Sequence, residues 1–318
     1  MCKQIDVSRG FVHPRESGRK WSVVDLFAGA GGSSLGFQNA GFEIIGAFEF
    51  WKLAADTYAA NFDHPVHRID LSDVETTVSI ISRLHPDVII GSPPCQEFSD
   101  AGERIEGERA ALTVAFAEIV DAIMPNFFVM ENVRRAQHSN AYAVARAKFK
   151  TAGYGLTEIM LNAALCGVPQ RRKRFFCIGS LGAKDGFLSE YLINAMSKTE
   201  MTVRDYMGNA LQTDFYYMKS RNATNRAVYS VDEPAPTIRG TTGPIPPSYT
   251  MRHGDKEDVA TGLVRSLTTE ERSYLQTFPA DFKWSGIKTH DEKMIGNSVA
   301  PKQAEFVAKA LIHYNDRI

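Results

Sequence analysis

Between Trp21 and Gly153 short apolar runs alternate with longer segments of helical period. Trp21 to Phe27, Glu43 to Phe48, Val66 to Ile69, Val88 to Ile90 and Phe127 to Met130 have the length and content of buried strands. Ser33 to Ala40, Leu53 to Asn61, Val74 to Leu84, Ala110 to Met124 and Ala141 to Thr151 space their apolar residues for helices, and Gly41 and Gly153 mark stops. Strand and helix in alternation predict an α/β fold with a doubly wound, mostly parallel sheet. The pattern weakens after about Ser180. Residues 208–260 are rich in Gly, Pro, Thr, Asn and Ser, and Glu233-Pro-Ala-Pro236 and Gly243-Pro-Ile-Pro-Pro247 interrupt any regular element. Helical spacing returns at Leu267 to Thr277, behind the capping signal Ser266-Leu-Thr-Thr-Glu-Glu271, and again at Lys302 to Tyr314. The expected organisation is an N-terminal arm over 1–20, a sheet domain over 21–179 plus 286–318, and a smaller loop-rich domain over 180–285.

Composition narrows the class. A chain of 318 residues accommodates one large domain and one smaller one. No run of 18 apolar residues occurs, and the N-terminus lacks the apolar core of a signal peptide, so a cytoplasmic protein with no membrane contact is expected. The four cysteines, Cys2, Cys95, Cys166 and Cys177, form no Cys-x-x-Cys pair and no zinc spacing, so no metal is expected. A net charge of −1 argues against a generally basic, nucleic-acid-coating surface. Positive charge is instead local. It gathers at Arg171, Arg172, Lys173 and Arg174, at Arg134 and Arg135, and in residues 1–20, which hold five Lys/Arg against two acids. Residues 180–260 are balanced, with nine Lys/Arg and ten Asp/Glu.

Candidate chemistry begins at Gly91-Ser-Pro-Pro-Cys-Gln-Glu-Phe-Ser99. The prolines stiffen a turn at the carboxyl end of a strand, where open α/β sheets place their reacting groups. Cys95 on that turn is a candidate nucleophile. Gly29, Gly31 and Gly32 allow a sharp strand-to-helix turn and close approach of a ligand. Glu49, at the end of the second strand, is spaced to bind ribose hydroxyls of an adenosine cofactor. A nicotinamide cofactor stays open at this point, although Ser34 stands where its fingerprint needs a glycine. Glu131 ends the apolar strand Phe127 to Met130 and is a candidate acid. Arg172 and Arg174 lie two apart on an expected strand, Arg172 to Ile178, and so share a face.

Five segments together carry a resemblance. They are Asp25-Leu-Phe-Ala-Gly-Ala-Gly-Gly-Ser-Ser-Leu-Gly-Phe37, the Cys95 turn, Phe127-Phe-Val-Met-Glu-Asn-Val133, Cys166-Gly-Val-Pro-Gln-Arg-Arg-Lys-Arg-Phe-Phe176 and Met294-Ile-Gly-Asn-Ser-Val-Ala-Pro301. In this order the chain resembles the bacterial and phage DNA cytosine-5 methyltransferases of restriction-modification type. The resemblance implies a Rossmann-like sheet that binds S-adenosylmethionine. Phe27, Ala28, Ala30 and Gly32 would contact it from the first turn. Glu49 would hold the ribose, Phe50 would lie against the adenine, and Asp70 and Leu71 would meet the adenine edge. Pro94, Leu112, Asn297 and Val299 would complete the pocket. The chain departs from the family at Trp51, where members often carry Asp, and at Arg109-Ala-Ala-Leu112, where they often carry Arg-Gly-x-Leu.

By the same resemblance Cys95 adds to carbon 6 of a cytosine, and Glu131 serves ring nitrogen 3. Arg174 reaches the oxygen at position 2, and Arg172 supports Cys95 and nearby backbone. A stacked cytosine hides carbon 6, so the base must be flipped out of duplex DNA. Gln96 and Ser99, on a lid after Cys95, would meet the DNA. The domain at 180–285 becomes a target-recognition domain, with Arg239 and Arg252 as guanine contacts, because Arg is the commonest bidentate partner of guanine. A monomer acting separately from a cognate restriction endonuclease is expected. A tRNA-methylating relative is the nearest alternative, but no Cys-Phe-Thr signature occurs. A non-catalytic DNA-binding homologue would lack Cys95 or Glu131.

Overall fold

β1 (Ser22–Leu26) is buried at all five positions. Successive residues face opposite sides of the sheet, and both sides are covered: Val23 enters one apolar layer and Val24 the other. Phe127 and Phe128 divide in the same way. Burial on both faces is why these strands read as continuous apolar runs. The computed structural model describes residues 19–94, 108–220, 222 and 224–316, with the side chains of 108–110 left out. Cys95, Gln96, Ser99 and most of the expected N-terminal arm lie outside the described residues.

From β1 the chain continues through α1 (Gly32–Asn39), β2 (Glu43–Phe48), α2 (Lys52–Ala59), β3 (Val66–His67), α3 (Val74–Ile81), β4 (Val88–Gly91), α4 (Glu108–Ile123), β5 (Phe127–Val133), α5 (Asn140–Thr151) and β6 (Tyr154–Asn162). Next come β7 (Gln170–Arg171), β8 (Lys173–Leu181) and α6 (Ser189–Ala195). The large sheet runs β3-β2-β1-β4-β5-β8-β6. Neighbours from β3 to β5 are parallel, and β8 is antiparallel to β5 and β6. Strand order therefore reverses between β1 and β4, which puts a crevice at their carboxyl ends.

The smaller lobe has α7 (Val203–Met207), β9 (Phe215–Tyr217), β10 (Val228–Ser230), β11 (Ala235–Pro236) and β12 (Val264–Ser266). β10, β9 and β12 make a three-stranded sheet, and β11 pairs with β7. α8 (Thr269–Leu275) starts with the expected capping box, Thr268 with Glu271. α9 (Lys288–Asn297) packs on α8, and α10 (Pro301–Asn315) returns to the large sheet.

Two segments within residues 180–285 pack against the sheet domain. α6 puts Leu188 and Leu192 into the same apolar layer as α10, so the chain from 182 to 196 covers the sheet. Phe278 and Phe282 pack with Ala28, Ala30 and Tyr58 under the glycine turn. The strand expected from Arg172 to Ile178 starts at Lys173 and reaches Leu181. Arg172 therefore precedes it and does not share a strand face with Arg174. No helix among the described residues is long and apolar enough to cross a membrane.

Candidate active site

The turn after β1 is held by contacts within the protein. Phe27 itself adopts the left-handed region at φ 57°, costly for an aromatic residue, and Gly31 follows at 95°. A Cβ on Gly31 would stand 2.4 Å from the Phe62 ring, and one on Gly32 would stand 2.1 Å from the Val299 carbonyl. Glycine is thus required at both positions by close approach of other parts of the chain. Gly29 differs: a Cβ there would meet nothing within 4 Å. Ala28 and Ala30 point into the core, so only their backbone can touch a ligand.

Ser34, where a dinucleotide fingerprint needs glycine, is fully buried and employed. Its hydroxyl donates to Asp25 at 2.7 Å and accepts from the Tyr58 hydroxyl at 2.5 Å. Tyr58 also lies 2.7 Å from Nε2 of His64. Burial pushes the Asp25 carboxyl up to about 7, against the Ser34 hydrogen bonds that lower it. The charge of Glu49 adds to the rise. This chain of polar groups was not foreseen from the sequence, although the misplaced serine was its signal.

Glu49 sits where β2 ends. Its carboxylate accepts the backbone N–H of Gly29 at 2.8 Å and of Trp51 at 2.7 Å. Burial raises its pKa, and these N–H groups oppose the rise. Each carboxylate oxygen takes one donor and keeps acceptor capacity. Phe50 beside it is 68% exposed. Asp70 is exposed and accepts from Ser72 N, while Leu71 is buried. Pro94 and Leu112 are half-buried, Asn297 is exposed, and Val299 is buried against Gly32.

β4 and β5 are neighbours, with Gly91 opposite Met130. Just beyond, Glu131 and Asn132 are buried. Asn132 donates to the Pro93 carbonyl at 3.2 Å, and its own side-chain oxygen accepts from Val133 N at 2.8 Å. It fastens the Pro-Pro turn to the strand that bears Glu131. Glu131 pairs with Arg174, Nε to Oε1 at 3.0 Å. The arginine assigned to the base oxygen is thus also the direct partner of the acid. Arg174 Nη1 donates to Lys173 O.

Arg172 is 1% exposed. It donates to the carbonyls of Ile238, Gly296 and Ser298 at 2.9–3.0 Å. The backbone support expected of it extends to both lobes. Gln170 adds to this joint, donating to Gln276 at 2.6 Å and accepting from Ile238 N at 2.9 Å. Gln170 lies in the Cys166–Phe176 segment, but its role, like that of Gln276, was not foreseen from the sequence. Cys166 and Cys177 are buried thiols, both pushed up to about 12 by burial, so neither offers a thiolate near neutral pH.

In the second lobe Arg252 lies 4.5 Å over the Tyr249 ring and donates to the Asn225 carbonyl. These contacts brace Arg252 within the second lobe. Arg239 borders a cavity beside β9 and β10.

The crevice at the strand reversal, the Glu49 carboxylate and the buried Glu131–Arg174 pair all lie at the carboxyl ends of the parallel strands, where α/β enzymes place their sites. The family model for C-5 cytosine-specific DNA methylase matches residues 21–313, and the chain belongs to that family. It is 49% identical over 293 residues to Type II methyltransferase M.HgiDI of Herpetosiphon aurantiacus, covering 92% of this chain and 94% of that one. It is 50% identical over 292 residues to Type II methyltransferase M.HindV of Haemophilus influenzae, covering 92% and 96%. The solved S. pombe Dnmt2 methyltransferase shares the fold, with a TM-score of 0.70 at 17% identity over 93% of this chain and 99% of that one. The protein is a DNA cytosine-5 methyltransferase, and these relatives favour DNA over the tRNA alternative.

Proposed function

We propose that Cys95 is the nucleophile of this methyltransferase, Glu131 its acid, and S-adenosylmethionine its methyl donor, bound between the glycine turn and Glu49. The observation that carries this reading is the Asn132–Pro93 hydrogen bond. It ties the turn leading to Cys95 to the strand carrying Glu131 and hence to Arg174. The described residues fit an adenosine-bearing group. Glu49 keeps acceptor capacity for a diol, Phe50 offers an exposed ring, and Gly29 faces open space. When bound, the cofactor supplies an electrophilic methyl on a sulfonium.

The protein's own residues do the rest. The Cys95 thiolate adds to carbon 6, and the electron pair displaced from the ring makes carbon 5 nucleophilic. Glu131 holds a proton at nitrogen 3 as charge gathers there. The Arg174 guanidinium keeps that carboxyl in place and faces the base oxygen. After transfer the hydrogen at carbon 5 leaves as a proton, and elimination frees Cys95. The substrate is a cytosine flipped from duplex DNA, with Gln96 and Ser99 beside the strand. The second lobe, Arg239 included, selects the sequence. The protein acts as a monomer in the bacterial cytosol and guards DNA against a separate restriction endonuclease.

Duplex DNA with 5-fluorocytosine at the target tests the nucleophile, because fluorine cannot leave as a proton. The unaltered protein should form a denaturation-resistant complex in the presence of S-adenosylmethionine. Cys95→Ala should form none and should lose methyl transfer by roughly 10⁴-fold or more, while cofactor titration is unchanged. Turnover by Cys95→Ala near the unaltered rate overturns the assignment.

A further inference from the structure

Asp25 is the penultimate residue of β1, and Ser34 is the third residue of α1. Their 2.7 Å hydrogen bond closes the glycine turn from beneath, with both residues at most 1% exposed. From Asp25 one hydrogen-bonded chain leads outward. The Tyr58 hydroxyl gives its hydrogen to Ser34, so it accepts at its 2.7 Å contact with His64 Nε2. Every donor in the chain therefore points toward the carboxylate. Tyr58 is fully buried and His64 half-buried, so the chain runs from the core to the surface. Burial lowers the pKa of His64, which leaves a neutral imidazole with one nitrogen in the chain and one outside it.

The charge acting on Asp25 among the described residues is that of Glu49, of the same sign, at the end of β2. α1 and β4 carry no titratable side chain. On α2, Lys52 pairs with Asp56, and on α10, Glu305 pairs with Lys309 while Lys302 is exposed. Asp63 acts on His64 from the surface. Asp25 is thus a buried acid with no described cation set against it, and burial holds it at about 7, where a small change in field moves its proton.

A methyl donor and its spent form differ by one charge. S-adenosylmethionine carries a sulfonium, and S-adenosylhomocysteine a neutral thioether at the same atom. In a dry site that charge acts on a carboxyl across several ångströms, with little screening by salt. We infer that Asp25 distinguishes the two, giving up its proton when the sulfonium binds above the turn and taking one back once the methyl group has left. The O–H bond of Asp25 breaks and its proton passes to Ser34, as Ser34 gives its own to Tyr58 and Tyr58 to His64 Nε2. The proton on His64 Nδ1 then leaves to solvent. The resulting carboxylate attracts the sulfonium and offers the thioether nothing equivalent, so the spent form is held less tightly. The inference rests on the reading that S-adenosylmethionine binds between the glycine turn and Glu49.

The test titrates each ligand into the full chain by calorimetry, in phosphate and in Tris, whose different heats of ionisation count the protons released. Asp25→Asn sets the baseline, because titration of the ligands' own amino groups is common to both proteins. Above that baseline, S-adenosylmethionine should release about half a proton more than S-adenosylhomocysteine at pH 7. The ratio of the two affinities, donor over product, should rise about 3- to 10-fold from pH 6 to 8 and level off above. Difference infrared spectra of the unaltered protein read the acid without any variant. The C=O stretch of a protonated buried carboxyl should fade with the donor and persist with the product. Equal proton release for both ligands, or a band that persists with both, overturns the inference. If neither ligand binds at all, the cofactor reading itself fails and the inference falls with it, a result distinct from either.

Discussion

The sheet domain and the second lobe each bury an aspartate, and they treat it in opposite ways. Asp25 in β1 is served by Ser34 alone, and burial pushes it up to about 7. Asp255 in the second lobe faces the same desolvation. It accepts from the N–H groups of Ala227, Val228 and Arg252 and from the Tyr249 hydroxyl, and the sum lowers its pKa. Glu233 nearby takes both arms of Arg226. The second lobe, whose strands are two or three residues long, supplements its apolar clusters with acids whose acceptors are filled. The sheet domain is held by apolar layers, and at Glu49 it keeps acceptors in reserve. Spare hydrogen-bonding capacity on an apolar frame marks where a ligand goes, whereas saturation marks structure.

The comparison breaks first at the glycine turn. Gly32→Ala places a methyl against the backbone carbonyl of Val299. We expect a loss of about 2–3 kcal/mol or more in stability, together with weaker cofactor binding and slower methylation of every DNA sequence alike. Urea unfolding and cofactor titration measure both. Unchanged cofactor affinity would mean that the turn tolerates the displacement.

A smaller effect should come from the saturated acid. Asp255→Asn turns donors toward donors and removes charge from four hydrogen bonds. The expected cost is about 2–3 kcal/mol, with cofactor affinity intact. A variant as stable as the parent in urea would show that the second lobe does not rely on this network.

A third effect sharpens the contrast through pH. Asp25 keeps its proton longer in the folded protein than in the unfolded chain. Between about pH 4 and 7 unfolding therefore releases that proton, and rising pH favours the unfolded state. Asp25→Asn removes this penalty. Its melting temperature relative to the parent should rise from pH 4 to 7 and level off above. A difference that stays flat across that window would contradict the burial argument. Asp255, lowered by its donors, carries the reverse sign, with stability lost as pH falls through its folded pKa.

Much of the sheet domain was legible because its information is local. Alternating apolar runs and helical spacing located β1 to β5 and the helices between them within a few residues. The order of those strands placed Glu131 beside the strand that leads to Cys95. The glycines of the turn were equally visible, but not what they make room for. What fills those spaces is Phe62 and the Val299 carbonyl, one of them far along the chain. The same holds for Arg172, whose partners lie 66 to 126 residues away, and for Gln170 with Gln276 at a separation of 106. It holds too for Leu188, Leu192, Phe278 and Phe282, which pack on the sheet domain from within the loop-rich stretch. Periodicity and turn chemistry report on neighbours in sequence, so the sequence alone determined the elements and the reacting residue types. Which carbonyl an arginine meets, and whether Arg252 faces solvent or Tyr249, depends on how distant segments dock, and only the tertiary structure decided that.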